Sequence, residues 1–306
     1  MTIEYFHPIT HETRKFIWSK YEKTVEGAEQ DIASLREWML SQPHLPDDLS
    51  ERQIMSLLLL GRGSIEKTKM KIDMYYTMRS LYPDIFENSH PQSQRMKEAS
   101  KFMYICPLPK LFDKINRVLV LKLKDIDPAG LDPSAVFARL INVVEIRLME
   151  DFCFGHLVIM DMQNCKLGHL GRITPTFVRN VYTIGEKALT TRVIALHIIN
   201  APAFVDQTVL IIKSIVKPKL AQKIFVHKDM ESVLESLDKD VIPRDYGGHE
   251  KSLDELEADF EKKFEEYANF FDQRQKLTVN ENLRPAKNMN DEVLGYYGNF
   301  KKLDVD

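Results

Sequence analysis

Cysteine is scarce in this 306-residue chain: Cys106, Cys153 and Cys165 form neither an even set nor a pair at metal-ligand spacing. That excludes a disulfide framework and reads as reduced thiols in a cytosolic protein. Long apolar runs are missing too. None approaches the ~20 residues that span a bilayer, so any membrane contact is expected to be peripheral. The net charge of −3 lacks the basic excess of a general nucleic-acid binder, so nucleic acid is not an expected partner. The start, Met1 to Pro8, has neither the charged opening nor the apolar segment of a secretory leader, and a cytoplasmic location is expected. No G-x-S-x-G elbow is present, and Cys153 and Cys165 stand in no recognisable catalytic context, so an enzyme is not expected. Leu57–Leu60 followed by Gly61-Arg-Gly-Ser64 lacks the Walker spacing and reads as helix, tight turn and a helix capped by Ser64. His7 and His11 flank Pro8 with no helix to fix them, so neither a metal nor a cofactor is expected. Repeats and low-complexity tracts are absent.

What is there is a hydrophobic content of 44%, enough for a substantial core. Residues 12–80 read as helices, with Ile32, Leu35, Trp38 and Met39 on one face and a capping box at Ser50-Glu-Arg-Gln53. Residues 84–110 carry three prolines and read as irregular, placing a lobe boundary near residue 95. Arg117–Leu123 is the first expected buried strand. Asp132-Pro133 starts a helix whose Phe137, Leu140, Ile141 and Val144 form one apolar face.

Then come a short apolar strand (Phe154–Met162), a helix opened by Thr174-Pro175, and a second apolar strand (Arg192–Asn200). Strand, crossover helix and strand indicate a parallel βαβ unit. A very apolar helix to about Val216, a basic run from Lys217 to Lys223 and the closing Tyr246-Gly-Gly248 follow. Beyond residue 248 the chain turns acidic, with a capping box at Ser252-Leu-Asp-Glu255 and one stripe of Leu253, Leu256, Phe260, Phe264, Tyr267 and Phe271. That helix is expected to pack back on the body, with an extended tail after it. His197, inside a strand, reads as a hydrogen-bonded core residue, and Asp161 as a strand-end acceptor of backbone hydrogen bonds.

Gly155…Asp161-Met162, Ile173-Thr-Pro175, Leu196-His-Ile-Ile-Asn-Ala-Pro202 and Tyr246-Gly-Gly248, in that order, resemble the CRAL-TRIO lipid-binding domain family. The resemblance is to its tocopherol-transfer and retinaldehyde-binding branch in insect form, and extends to the tail ending Gly298–Leu303. It implies an α/β fold with three parts. These are a helical N-terminal lobe (residues 1–95), a mixed sheet whose helices enclose an apolar pocket (96–248), and a C-terminal amphipathic helix and tail (249–306).

It also implies binding of a hydrophobic ligand, a tocopherol, retinoid or similar lipid, and its transfer between membranes. The alternative is a lipid-sensing interaction module that does not transfer. The pocket would be walled by Phe137, Leu140, Ile141, Val144, His156, Val158, Met160, Val181, Ile184 and Val193, with Ala195 and His197 on the same face as Val193. Phe204, Thr208, Ile211, Ile212 and Ile215 would form the gate. Arg192, Lys219 and Lys223 match a phosphoinositide-binding set, with Lys217 beside them; two other basic positions of that set are Ile194 and Gly61 here, the latter next to Arg62. Their role would be docking at an anionic membrane surface.

Overall fold

The computed structural model describes residues 4–189, 192–234 and 237–285. The expected tail from residue 286, Gly298–Leu303 included, lies outside them. Helices α1 (His11–Ser19), α2 (Val25–Leu40), α3 (Glu51–Leu60), α4 (Ile65–Leu81), α5 (Pro83–Phe86) and α6 (Gln94–Ser100) come first. Except for α5, each opens on a Ser or Thr whose side chain accepts from an amide of the first turn: Thr10, Thr24, Ser50, Ser64 and Ser93. The Gly61–Ser64 segment is the turn expected. Arg62 and Gly63 there adopt left-handed φ values of 60° and 70°, which glycine accepts readily and arginine does not.

Five strands follow: β1 (Met103–Phe112), β2 (Asn116–Leu123), β3 (Gly155–Asp161), β4 (Val193–Ile199) and β5 (Ile224–Val226). They lie side by side in chain order, β1–β2 antiparallel and the rest parallel. The fold is therefore α/β with a mixed sheet. β1 corrects the reading of residues 84–110 as irregular. Prolines argue against a central strand, but β1 is an edge strand whose register breaks between Pro107 and Leu111, where missing amides cost little.

Between strands run α7 (Pro133–Glu150), α8 (Leu167–Leu170), α9 (Pro175–Lys187), α10 (Val205–Ile215) and α11 (Pro218–Ala221); α12 (Glu231–Leu234), α13 (Leu253–Glu266) and α14 (Ala268–Arg274) complete the order. The expected C-terminal helix is thus two, parted at Tyr267. Each parallel crossover moves one strand further in the same direction. Right-handed connections then put α7, α9 and α10 on one face of the sheet.

The other face carries α13: Cys106, beside Val120 in the ladder, lies against the Leu253 carbonyl, and Leu253, Leu256, Phe260 and Phe264 are sealed. A separate core joins the N-terminal helices to α7 and α9, with Ile54, Leu57, Ile72, Tyr75, Ile141 and Ile184 all below 4% exposed.

Candidate functional site

Register decides which strand residues face the crossover helices. His156 lies against Arg147 of α7, so His156, Val158 and Met160, alternating along β3, share the α7 side. Val158 is level with Leu119 and Leu196, and Met160 with Leu121 and Ile198. An irregularity in β4 sets Val193 opposite His156 but Ala195 opposite Leu157 and His197 opposite Ile159. Ala195 and His197 therefore occupy the opposite face, a correction to the simple alternation expected. The helix-facing residues of β4 are Leu196 and Ile198, which the bulge hid from a period-two reading.

Side chains between a sheet and its helices are ordinarily sealed, and here many are not. Phe137, Leu140 and Val144 of α7, Val158 and Met160 of β3, Val193 and Leu196 of β4, and Val181 and Tyr182 of α9 are only partly buried. So are Phe204 before α10 and Thr208, Ile212 and Ile215 within it. Three expected wall residues are placed otherwise. Ile141 and Ile184 are sealed in the core shared with the N-terminal helices, and His156 is taken up by Arg147 and Cys153. Tyr182 was not expected. Its hydroxyl accepts from the Lys217 amide, joining α9 to the end of α10.

α10 is held on the sheet by Val205 and Val209, which pack with Met162, Ile198 and Ile224. Leu210 and Ile211 point outward, 67% and 51% exposed. Ile211 thus sits on the outer face of the helix. β5 continues the exposed apolar surface with Phe225 and Val226.

Three of the motifs meet at one carboxylate. Asp161 accepts from the Asn200 side chain at 2.9 Å, the Tyr246 hydroxyl at 2.9 Å and the Gln163 amide at 3.0 Å, with Lys122 at 3.3 Å. Its expected structural role is what the geometry shows. Gly248, in the same closing motif, has no room for a side chain, because a Cβ would fall 2.0 Å from the Ile242 carbonyl oxygen. His197 bonds His227 through Nδ1 and Nε2 at 2.9 Å and stacks on Phe225.

The basic residues converge. Lys223 is held below its usual range by partial burial and then by the charges of Arg192, Lys219 and Arg62. Arg192 lies over Phe154 at 4.2 Å and is exposed. Lys219 and Lys223 do not share a helix face, since α11 ends at Ala221. Lys217 pairs with Glu186 of α9. Arg62 joins from the left-handed turn. Lys71 nearby is pushed down to about 8, by burial first and Arg62 among the charges.

Asp151, Cys153 and His156 bring donor atoms within 4.8 Å of one another. Their chemistry does not suit a metal. Arg117 and Arg147 already bind Asp151 at 2.6 and 2.7 Å, and Arg147 donates to the His156 Nε2 that an ion would take. Burial, then the Asp151 charge, push the Cys153 thiol up to about 12. A void of about 40 Å³ adjoins this group.

Residues 24–96 match the model of a Pinta-like UBA domain, and residues 101–248 that of the CRAL/TRIO domain. The chain is 23% identical over 231 residues to a mouse protein named alpha-tocopherol transfer protein-like, the match covering 74% of this chain and 66% of that one. It is 21% identical over 224 residues to clavesin-1 of Xenopus laevis, covering 72% and 67%. A crystal structure of Sfh5 aligns with a TM-score of 0.41 at 12% identity, covering 85% of this chain and all of the other.

Proposed function

The chain belongs to the CRAL-TRIO family, and from that premise we propose that it binds a small hydrophobic ligand, a tocopherol, retinoid or similar lipid, between the sheet and α10 and transfers it between membranes. The observation that carries this reading is the incomplete burial of apolar residues on β3, β4 and α9, together with a helix α10 seated by only two buried side chains. Covering such surface contributes roughly 25 cal/mol per Å², so a long apolar ligand gains affinity without an ionic contact. The names of the relatives support the lipid class. In this reading the parts are the helical lobe (1–95), the lipid domain (96–248) and the C-terminal segment (249–306), and no step of catalysis is involved.

The outward Leu210 and Ile211 would meet the bilayer, and Arg192, Lys219, Lys223 and Arg62 its anionic headgroups, phosphoinositides among them. A basic side chain near such a surface contributes about 1 kcal/mol, screened by salt. Lys217, paired with Glu186, contributes less. Among the described residues no helix is long and apolar enough to cross a membrane. The membrane contact in this proposal is peripheral, at the cytoplasmic side.

The test is extraction of co-purified lipid with mass spectrometry, then transfer between liposomes. Val158→Trp should fill the space under α10 and abolish loading while the fold survives. If the variant keeps its ligand, or loses several kcal/mol of stability because the space was already packed, the site is misplaced. Replacing Arg192, Lys219 and Lys223 together with Ala should weaken capture by phosphoinositide liposomes and leave loading in solution intact. Loading without transfer would favour the lipid-sensing module instead.

A further inference from the structure

A recess lies away from the apolar layer described above. A cavity of about 600 Å³ opens between the N-terminal segment around Tyr5–Ile9, α1, α3 and the turn after α7. That is the size of a small-molecule site. Its charges are unequal in their commitments. Arg117 is held by Asp151 and by the Leu108 and Pro109 carbonyls, and Lys263 by Glu150 and Glu266. Arg14 and Arg52 are different. Neither reaches a carboxylate at ion-pair distance among the described residues, and both lie over one buried ring, Phe152, at 5.4 and 5.6 Å.

Arg52 is oriented without being neutralised. Its Nε and Nη2 donate to the Met149 and Glu150 carbonyls at 3.2 and 3.1 Å, which fixes the fork, and the Asp151 and Glu150 carboxylates offset its charge only in part. Burial, and next the charge of Arg14, keep it below its usual range, so the two cations are felt by each other in a partly dehydrated cleft. Two guanidiniums over one ring and within reach of each other's charge, one of them braced by carbonyls, offer donors for a multiply charged oxyanion. Glu4, exposed at the rim, likewise makes no ion pair among the described residues.

We propose that this cleft is a second ligand site, distinct from the apolar layer, and that it takes a phosphomonoester held between Arg14 and Arg52. The recess has room for more than a bare phosphate ion, so the ligand proposed is a phosphate carried on an organic group. That group is either a soluble metabolite or the headgroup of a lipid presented at a membrane.

The experiment uses the full chain with two probes: glycerol 3-phosphate by titration calorimetry, and phosphatidic acid vesicles against phosphatidylcholine vesicles by co-sedimentation. Arg14→Ala is the main variant, because it leaves the Arg52 bonds to Met149 and Glu150 in place; R14A/R52A is the stronger one. The Arg192, Lys219 and Lys223 triple alanine variant serves as the control for the other basic cluster. The expected result is binding that falls about tenfold or more in Arg14→Ala, equivalent to about 1.4 kcal/mol; glycerol 3-phosphate binding is unchanged in the control, and the vesicle arm is read by adding Arg14→Ala to the triple alanine variant, so that the other basic cluster does not contribute. Loss with glycerol 3-phosphate assigns a soluble phosphomonoester. Loss confined to phosphatidic acid vesicles assigns a lipid headgroup. No binding of either probe by the wild type, or binding that Arg14→Ala and R14A/R52A leave intact, overturns the proposal.

Discussion

Two helices on the same face of the sheet are both rich in apolar residues and end in opposite situations. In α7, ten of eighteen residues are buried, three of them charged; in α10, two of eleven are, although six of the eleven are aliphatic. α7 is pressed between the sheet and α3, α5 and α6, so every direction around it meets protein. α10 has the sheet below and α9 and α11 beside it, and Leu210 and Ile211 face outward. Hydrophobicity along a helix measures what it could bury, and the neighbours decide what it does bury. One helix is thereby a structural beam and the other is loosely seated.

The comparison is broken most severely at the end of α7. Asp151→Asn would leave Arg117 and Arg147 buried without their shared carboxylate, and should cost about 3–5 kcal/mol in denaturant unfolding. Burial alone would raise the Asp151 pKa, but the two guanidiniums outweigh it and hold the carboxyl well below the usual range. Its folded value being depressed, its contribution is complete above the unfolded pKa of about 3.9 and disappears as the pH falls below it. An unfolding midpoint within error of the wild type would mean the network is not what anchors α7.

Next in size is Ile146→Ala, at a fully buried α7 position, with an expected loss of about 2–5 kcal/mol. A smaller effect should appear as a pH slope. Burial first, and Arg147 second, keep His156 neutral well below its usual range. Unfolded chains take up a proton there below about pH 6.5 and the folded chain does not, so stability should decline as pH falls from 6.5 towards 5. His156→Asn should flatten that slope by up to one proton, measured as unfolding free energy against pH.

The smallest stability effect belongs to the loosely seated helix. Ile211→Asp on the exposed face of α10 should stay within about 0.5 kcal/mol of the wild type and retain ligand, yet slow transfer between liposomes. Unchanged transfer would detach the outer face of α10 from the membrane step.

Much of the architecture is legible in the sequence alone. Ser and Thr caps, the Pro175 start and the short apolar runs marked most helices and the β3 and β4 strands, because those signals are local. β1 was not legible, since Pro107 and Pro109 look like loop residues until their place at the sheet edge is known. The site was legible by element but not by residue. Val158 and Met160 stand where a period-two strand puts them. Ala195 and His197 do not, because a bulge that depends on pairing with β3 reverses their faces. Leu196 and Tyr182 carried no signal of their own.

The sequence by itself determined an α/β chain that resembles the CRAL-TRIO domain: periodicity, capping chemistry and four ordered motifs are properties of neighbours along the chain. Only the tertiary structure decided which apolar residues are sealed and which remain half-open. It also decided that Asp161, Asn200 and Tyr246 share one node, and that Arg62 joins Arg192, Lys219 and Lys223. It set Arg14 and Arg52, 38 positions apart in the chain, over the same ring. Burial and charge coupling depend on distance in space, and residues far apart in sequence acquire that distance only when the helical lobe closes on the sheet.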